Sequence, residues 1–205
     1  MNLSLQFAAL NHFYGVSCMS VSSVTPGHYG ALSSPLLHEN GLNMQAVFDL
    51  CELPAAMQER LSGEGAGPQH FRQLLLFGNG GTRFWQRFLQ SEFAGDDPVD
   101  AFSLALVQGF MAAELPGVRY QVIYPGAALV PLQELGRLAG WHHDSPMKVG
   151  INDCWGLWYA YRVVVVADSD LPVSTRVDSR SPCVTCEDKP CVRSCPAEAL
   201  AGGEL

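Results

Sequence analysis

Near its C-terminal end the chain reads Cys183-Val-Thr-Cys186-Glu-Asp-Lys-Pro-Cys191-Val-Arg-Ser-Cys195-Pro196. Four thiols in so short a stretch constrain the chain more than any other feature, because packing alone never calls for them. They either cross-link or hold a soft metal centre. A short C-x2-C loop lets backbone N–H groups turn toward sulfur and stabilise the charge of a bound centre. Pro196 ends the ligand loop and suits the first turn of a helix starting at Ala197. The chain holds seven cysteines in all, an odd number unevenly clustered, which fits a reducing compartment better than a disulfide framework.

The spacing C-x2-C-x4-C-x3-C-P resembles the bacterial ferredoxin run C-x2-C-x2-C-x3-C-P, with two extra residues in the middle gap. On that likeness Cys183, Cys186, Cys191 and Cys195 are the ligands of an iron–sulfur cluster, expected to be of the 4Fe–4S kind. Zinc accepts the same four sulfurs, and disulfides or free thiols are a third reading. Cys-Pro at the fourth position belongs to the ferredoxin pattern. In two-cluster ferredoxins the cysteine before proline serves the other cluster. Cys195 therefore either closes a single cluster here or awaits a partner from another segment or subunit.

A length of 205 residues suits one large domain, residues 1–172, followed by a small cysteine-rich segment, residues 173–205. Only 16% of the residues are charged against 48% hydrophobic, a shortage of charge that points to an apolar pocket or a partner-covered surface. The formal charge of -8 argues against unspecific nucleic-acid binding. The N-terminus shows no basic region with a cleavable apolar segment, and no apolar run reaches membrane-spanning length. A cytoplasmic location without membrane contact is expected.

Residues 3–13 read as a short helix and 14–21 as a strand. The Ser-, Pro- and Gly-rich stretch 22–41, with His28 and His38, reads as a loop over a pocket. Residues 44–61 have helical apolar spacing interrupted by Pro54, and 62–68 form a flexible connector. A buried strand over 71–77 precedes Gly78-Asn-Gly-Gly81 and a helix over 84–93. In such a turn the amides of Gly80 and Gly81 can face an anion, with Arg83 beside them. Asp97 caps a helix running to Leu115 that must be buried on most sides. A strand over 119–124 and a helix over 130–139 follow. The region 140–167 then concentrates aromatic residues: Trp141, Trp155, Trp158, Tyr159 and Tyr161 around a strand over 157–167. This reads as the wall of a flat cofactor, with Trp158 expected in the core and Trp155 equally suited to core or ligand. His142-His143-Asp144 reads as a hydrogen-bonded loop rather than a metal site, since adjacent side chains diverge. Cys154 sits in that wall, either as a small hydrophobe or as a reactive thiolate. Cys18 and Cys51 are expected in the core.

Asp97-Pro-Val-Asp100, the strand Tyr120-Gln-Val-Ile-Tyr124 and Trp155-Gly-Leu-Trp-Tyr-Ala-Tyr-Arg162 resemble the cobalamin-processing chaperones of the cblC type. Leu138-Ala-Gly-Trp141 and the same Trp-Gly-x-Trp strand, followed by a cysteine-rich segment, resemble epoxyqueuosine reductase equally. The likeness covers roughly residues 70–195. It implies an α+β fold, a flavin nitroreductase-like mixed sheet flanked by helices, with a ferredoxin-like C-terminal segment and a bound cobalamin. It further implies that Trp155, Gly156 and Trp158 line the corrin face and that Arg162 matches an arginine the chaperones use for glutathione. The acidic proton donor of epoxyqueuosine reductase falls at Tyr124, and the cobalamin-proximal histidine of the chaperones at Gly136. The second cysteine run of epoxyqueuosine reductase has no counterpart. The expectation is an iron–sulfur redox protein whose cluster passes electrons to a corrinoid or similar flat cofactor, with a redox partner protein and a homodimer as further expectations. The alternatives are a non-catalytic cobalamin carrier or ferredoxin-like module, and a zinc-stabilised flavin reductase.

Overall fold

The computed structural model describes residues 29–200. The helix expected over 3–13, the strand over 14–21, Cys18 and His28 lie outside the described residues. Four strands form one sheet: β1 (Met44–Asp49), β2 (Gln73–Gly80), β3 (Tyr120–Tyr124) and β4 (Tyr159–Ala167), in the order β1-β2-β4-β3. Leu74 to Phe77 in β2 and Val163 to Val166 in β4 are completely buried. Runs with no polar residue cannot face water on either side, so they take the centre of the sheet with both faces covered.

Six α-helices, α1 (Pro35–Glu39), α2 (Ala55–Gly63), α3 (Arg83–Leu89), α4 (Pro98–Glu114), α5 (Leu132–Ala139) and α6 (Pro190–Arg193), and one 3-10 turn (Pro182–Val184) complete the described fold. Met57 and Leu61 of α2, Leu135 and Ala139 of α5, and Trp141 cover one face together with Leu74, Leu76, Val164 and Val166. Leu37 of α1, Phe84 of α3 and Phe102, Leu106 and Phe110 of α4 cover the other, against Leu75, Phe77, Val163 and Val165. The result is an α+β sandwich of helix, sheet and helix layers.

Several expectations are corrected. The named strands pair only antiparallel, so the ladder is not mixed; a single parallel bridge, Gly30 to Gln45, lies on β1. Residues 44–49 form a strand rather than a helix, because six apolar-rich residues carry no decisive period and pairing with β2 settles their conformation. The connector over 62–68 is a tight helix ending: Ala66 is fully buried and its N–H donates to the Leu61 carbonyl at 2.9 Å. Gly78, Asn79 and Gly80 belong to β2 instead of a turn. Asp97 precedes α4, but its side chain makes no capping hydrogen bond. No helix starts at Ala197; the short α6 lies between Lys189 and Ser194 instead. Cys51 is exposed rather than buried. No helix among the described residues is long and apolar enough to cross a membrane.

Beyond β4 the chain leaves the sheet as a strap. Ser174 bonds to β1, its N–H donating to the Val47 carbonyl at 2.9 Å and its Oγ accepting from the Val47 N–H at 2.8 Å. The Val177 N–H then donates to the Ala139 carbonyl at 3.0 Å. Ser179 Oγ donates to the Gly140 carbonyl at 2.6 Å and lies 2.9 Å from His143 Nε2. Cys183 follows Ser179 by four positions, which limits their Cα atoms to about 14 Å apart even in a fully extended chain.

Candidate functional site

The geometry of the site starts with an irregularity in β4. Phe77 pairs with Val163 but Gly78 pairs with Tyr161, so Arg162 is an extra residue in β4. A bulge of this kind breaks the alternation and re-aims side chains. Tyr159 and Tyr161 pack with the core beneath α2 and α5. Arg162 turns to the other face, its Nε donating to Asn79 Oδ1 at 2.6 Å and its guanidinium 4.7 Å above the Phe84 ring. Burial holds the Arg162 pKa below the usual arginine range, partly opposed by Asp100 and Tyr124. Arg162 thus lies on the face of the sheet opposite Trp141, Trp155, Tyr159 and Tyr161.

On the tyrosine face, His142 is only 4% exposed. Its Nδ1 lies 3.1 Å from the Tyr159 hydroxyl and 3.3 Å from that of Tyr161. Its Nε2 stands 3.6 Å from Asp144 Oδ1, and Asp144 is held in turn by Arg137 at 2.6 Å. Two glycines make the cluster sterically feasible. A Cβ on Gly136 would lie 1.8 Å from the Tyr161 oxygen, and one on Gly150 would lie 2.3 Å from both His142 Nδ1 and the Tyr159 oxygen. Tyr161 also stacks on the buried Trp141, with centroids 6.3 Å apart and planes 15° from parallel. Next to this cluster opens a cavity of about 340 Å³, lined by His142, Tyr159, Tyr161, Gly150, Val149 and Leu157 among others. That volume is at the small end of ligand sites.

None of the residues expected to bind a cofactor is among those lining this cavity. The Trp155 indole lies over Gly80, where a Cβ would approach to 2.2 Å, and beside Gly81; its ring centroid is 4.8 Å from that of Tyr29. The two amides expected to cradle an anion are already engaged. The Gly80 N–H donates to Asn43 Oδ1 at 2.8 Å, and the Gly81 N–H to the Trp158 carbonyl at 2.8 Å. Gly156 adopts φ 58°, a left-handed turn that glycine takes without strain. Trp158 is 68% exposed, not in the core as expected. Leu157, Val149 and Met147 are exposed as well, and Leu157 and Val149 both line the cavity. Tyr124 ends β3 half-buried against the same core as the cavity tyrosines, but it is not among the residues lining the cavity. His38 Nε2 bonds to the Leu32 carbonyl at 3.0 Å. The Cys154 N–H donates to Asn152 Oδ1 at 2.9 Å.

The four tail cysteines are half-buried. Burial pushes the Cys183 thiol up; the thiols of Cys191 and Cys186 add to this, and Ser181 opposes it. Cys183 therefore lies within electrostatic reach of two of the other three. Among the described residues no three His, Cys, Asp or Glu side chains converge as a metal would require. The donor set has the chemistry for a soft metal, but its sulfurs are not gathered around one point.

The Tyr159–His142–Tyr161 cluster was legible only in part. Tyr159-x-Tyr161 on a strand places both rings on one face, which the sequence shows. Nothing in the sequence pairs them with His142, because that contact depends on the two glycines.

Burial lowers the His142 pKa below its usual 6.5, and Arg137 adds to this while Asp144 opposes it. The folded state therefore binds fewer protons here than the unfolded state once pH falls below about 6.5. Stability contributed by neutral His142 is complete above that pH and is lost as pH falls toward the lowered folded value. Asp144 is also lowered, by the Arg137 hydrogen bond first, and its contribution is lost only below the ordinary carboxylate range. Urea midpoints measured from neutral pH downward are expected to fall first in the histidine window. The His142→Gln variant should lack that first step; an identical slope in both proteins would refute the assignment.

No protein-family model and no curated protein matches the chain. Solved structures do share the fold. A selenomethionine-labelled epoxyqueuosine reductase superposes with a TM-score of 0.51 at 10% identity, over 83% of this chain and 53% of that one. Epoxyqueuosine reductase from Bacillus subtilis, with its catalytic loop swung out of the active site, gives a TM-score of 0.50 at 10% identity with the same coverages of 83% and 53%. The chain thus spans about half the length of the epoxyqueuosine reductases it matches. At this identity the likeness is one of fold.

Proposed function

We propose that the chain is a redox protein in which Cys183, Cys186, Cys191 and Cys195 hold an iron–sulfur cluster that serves a flat cofactor bound at the Trp158–Leu157 surface. The observation that carries this reading is the strap. Its bonds from Ser179 to Gly140 and His143 tether the cysteine segment beside the aromatic face. The shared fold with epoxyqueuosine reductase supports the redox class. A bound cluster supplies single electrons; the chain's own part is to hold the thiols, to tether them and to offer an apolar face. A corrin ring is larger than a cavity of about 340 Å³. A corrinoid would therefore lie across exposed Trp158, Leu157 and Val149 rather than enter it.

Anaerobic reconstitution with iron and sulfide tests the cluster. Iron bound in stoichiometric excess over the chain, with a reducible visible spectrum, is expected. Cys183→Ser, Cys186→Ser and Cys191→Ser should each lose most of that iron. Zinc at one per chain with no iron uptake would end the redox reading. Tyr124 lies outside the cavity lining, which favours a carrier as the second reading. A carrier binds cobalamin without changing its state, whereas a reductase changes its spectrum when reductant is added.

A further inference from the structure

The two outer edges of the sheet differ in how their backbone is satisfied. Along β1 the edge is covered: Gly30 bridges to Gln45, and Ser174 bonds to both main-chain groups of Val47. Along β3 it is bare. The Asp168 N–H donates to the Arg119 carbonyl at 3.0 Å, and Tyr120, Gln121 and Val122 pair in turn with Ala167, Val166 and Val165. In an antiparallel ladder alternate residues bond to one neighbour, and the residues between them turn their N–H and C=O the other way. Arg119 and Gln121 therefore bond to β4, and the main-chain groups of Tyr120 and Val122 point away from the sheet. Among the described residues no other main-chain group bonds to them. The register then shifts between Val122 and Tyr124, leaving Ile123 as an extra residue. That bulge ends the regular edge, so the open stretch is residues 120–122.

Exposed edges are ordinarily guarded by lysine, other charges or proline. β3 contains none of these, and from Leu115 to Gln133 the single charged side chain is Arg119. Arg119 is itself paired with Asp168 at 2.8 Å. A chain of formal charge -8 repels its own copy as a whole, but not where acidic side chains are missing. The described chain begins at the far edge of the sheet, where Gly30 meets β1. We infer that the free edge of β3 binds β3 of a second copy, antiparallel, so that two sheets join into one. The free groups set the register. With the two-fold axis at Gln121, Tyr120 of each copy faces Val122 of the other, and every outward N–H and C=O finds a partner. Gln121 then meets its own counterpart in a non-hydrogen-bonded pair, with Cα atoms about 4.5 Å apart. The Gln121 side chain is exposed and free to make that contact. The inference is independent of the redox reading, since it involves neither the cysteines nor a cofactor.

Sedimentation velocity on the full chain over a range of concentrations is expected to show a reversible monomer–dimer equilibrium. Hydrogen exchange reads the edge itself. The Tyr120 and Val122 amides should gain protection as dimer forms, while that of Val165 in β4 stays unchanged. Gln121→Lys sets two like charges directly opposite each other, and Gln121→Glu does so with the other sign. Each variant alone should dimerise several-fold more weakly. An equimolar mixture of the two should recover the dimer, which a contact of residue 121 with its own counterpart requires. Tyr120→Pro removes an outward N–H but no bond to β4. It takes away half of the donors across the edge and should weaken the dimer about tenfold. If a variant fails to fold, the exchange series on the unaltered chain decides. A monomer at every concentration would overturn the inference, as would a dimer that none of the three substitutions weakens. So would protection of the Tyr120 and Val122 amides that does not change with concentration, which would place a segment of the same chain on the edge.

Discussion

Trp141→Ala is expected to destabilise the chain by about 3–5 kcal/mol, the range for emptying a large aromatic site in a packed core. Trp141 is 1% exposed and its ring closes the space left by Gly78, where a Cβ would already stand 3.3 Å from the indole. Its backbone is committed as well. The N–H donates to the Gly136 carbonyl at 2.8 Å, and the carbonyl accepts from Asn152 Nδ2 at 3.0 Å. The backbone cannot collapse into the void without breaking these bonds, so the cavity term adds to the lost transfer energy. Several kilocalories is a large share of the total stability of a domain. Trp141→Phe keeps a ring against Tyr161 and should lose clearly less. Denaturant unfolding checks both, with unchanged slope expected for a simple loss of stability. A loss under about 1 kcal/mol for the alanine variant would mean that this part of the core is not packed as described.

The same tryptophan shows what the sequence reveals and where it falls silent. The centre of the sheet was legible because Leu74 to Phe77 and Val163 to Val166 admit only a strand covered on both faces. α4 was legible from its length and its flanking Pro98 and Pro116-Gly117. β1 was not, because six residues are too few for a period to separate strand from helix and its partner lies far along the chain. In the aromatic region Trp158 was expected in the core and is exposed, and Arg162 lies on the face opposite Tyr159 and Tyr161. One extra residue at Arg162 reverses the parity of the strand, and a bulge leaves no trace in composition. Trp158 lies one residue before β4 begins, so the alternation that would bury it has not started. Gly80 and Gly81 looked like an anion loop because glycine signals close approach without saying of what; here it is the Trp155 indole. His142 was set aside as a loop residue, and its partners emerge only when Gly136 and Gly150 bring hydroxyl and imidazole together.

Gly140→Ala is expected to release the strap that carries the cysteines while leaving the sheet folded. Gly140 ends α5 at φ 77°, a left-handed conformation that costs a residue with a Cβ about 1–2 kcal/mol. The larger obstacle is contact: a Cβ there would stand 2.1 Å from the Val177 carbonyl oxygen. Both groups belong to backbone, so neither can rotate away, and the strap must lift. Lifting it breaks the bonds of Val177 to Ala139, Ser179 to Gly140 and His143, and Arg176 to the Arg137 carbonyl. None of these involves a residue of the central strands. In hydrogen exchange the Val177 amide should lose its protection while those of Val164 to Val166 keep theirs, and trypsin should cut at Arg176 and Arg180 much faster. Gly140→Asn separates the two causes, since asparagine tolerates left-handed φ but still carries the Cβ. If contact with Val177 is what matters, asparagine loosens the strap as alanine does; if only backbone strain matters, asparagine restores protection. Persistent protection of Val177 in both variants would show that the strap does not depend on the glycine at the end of α5. The link from the cysteine segment to the aromatic face would then need another anchor.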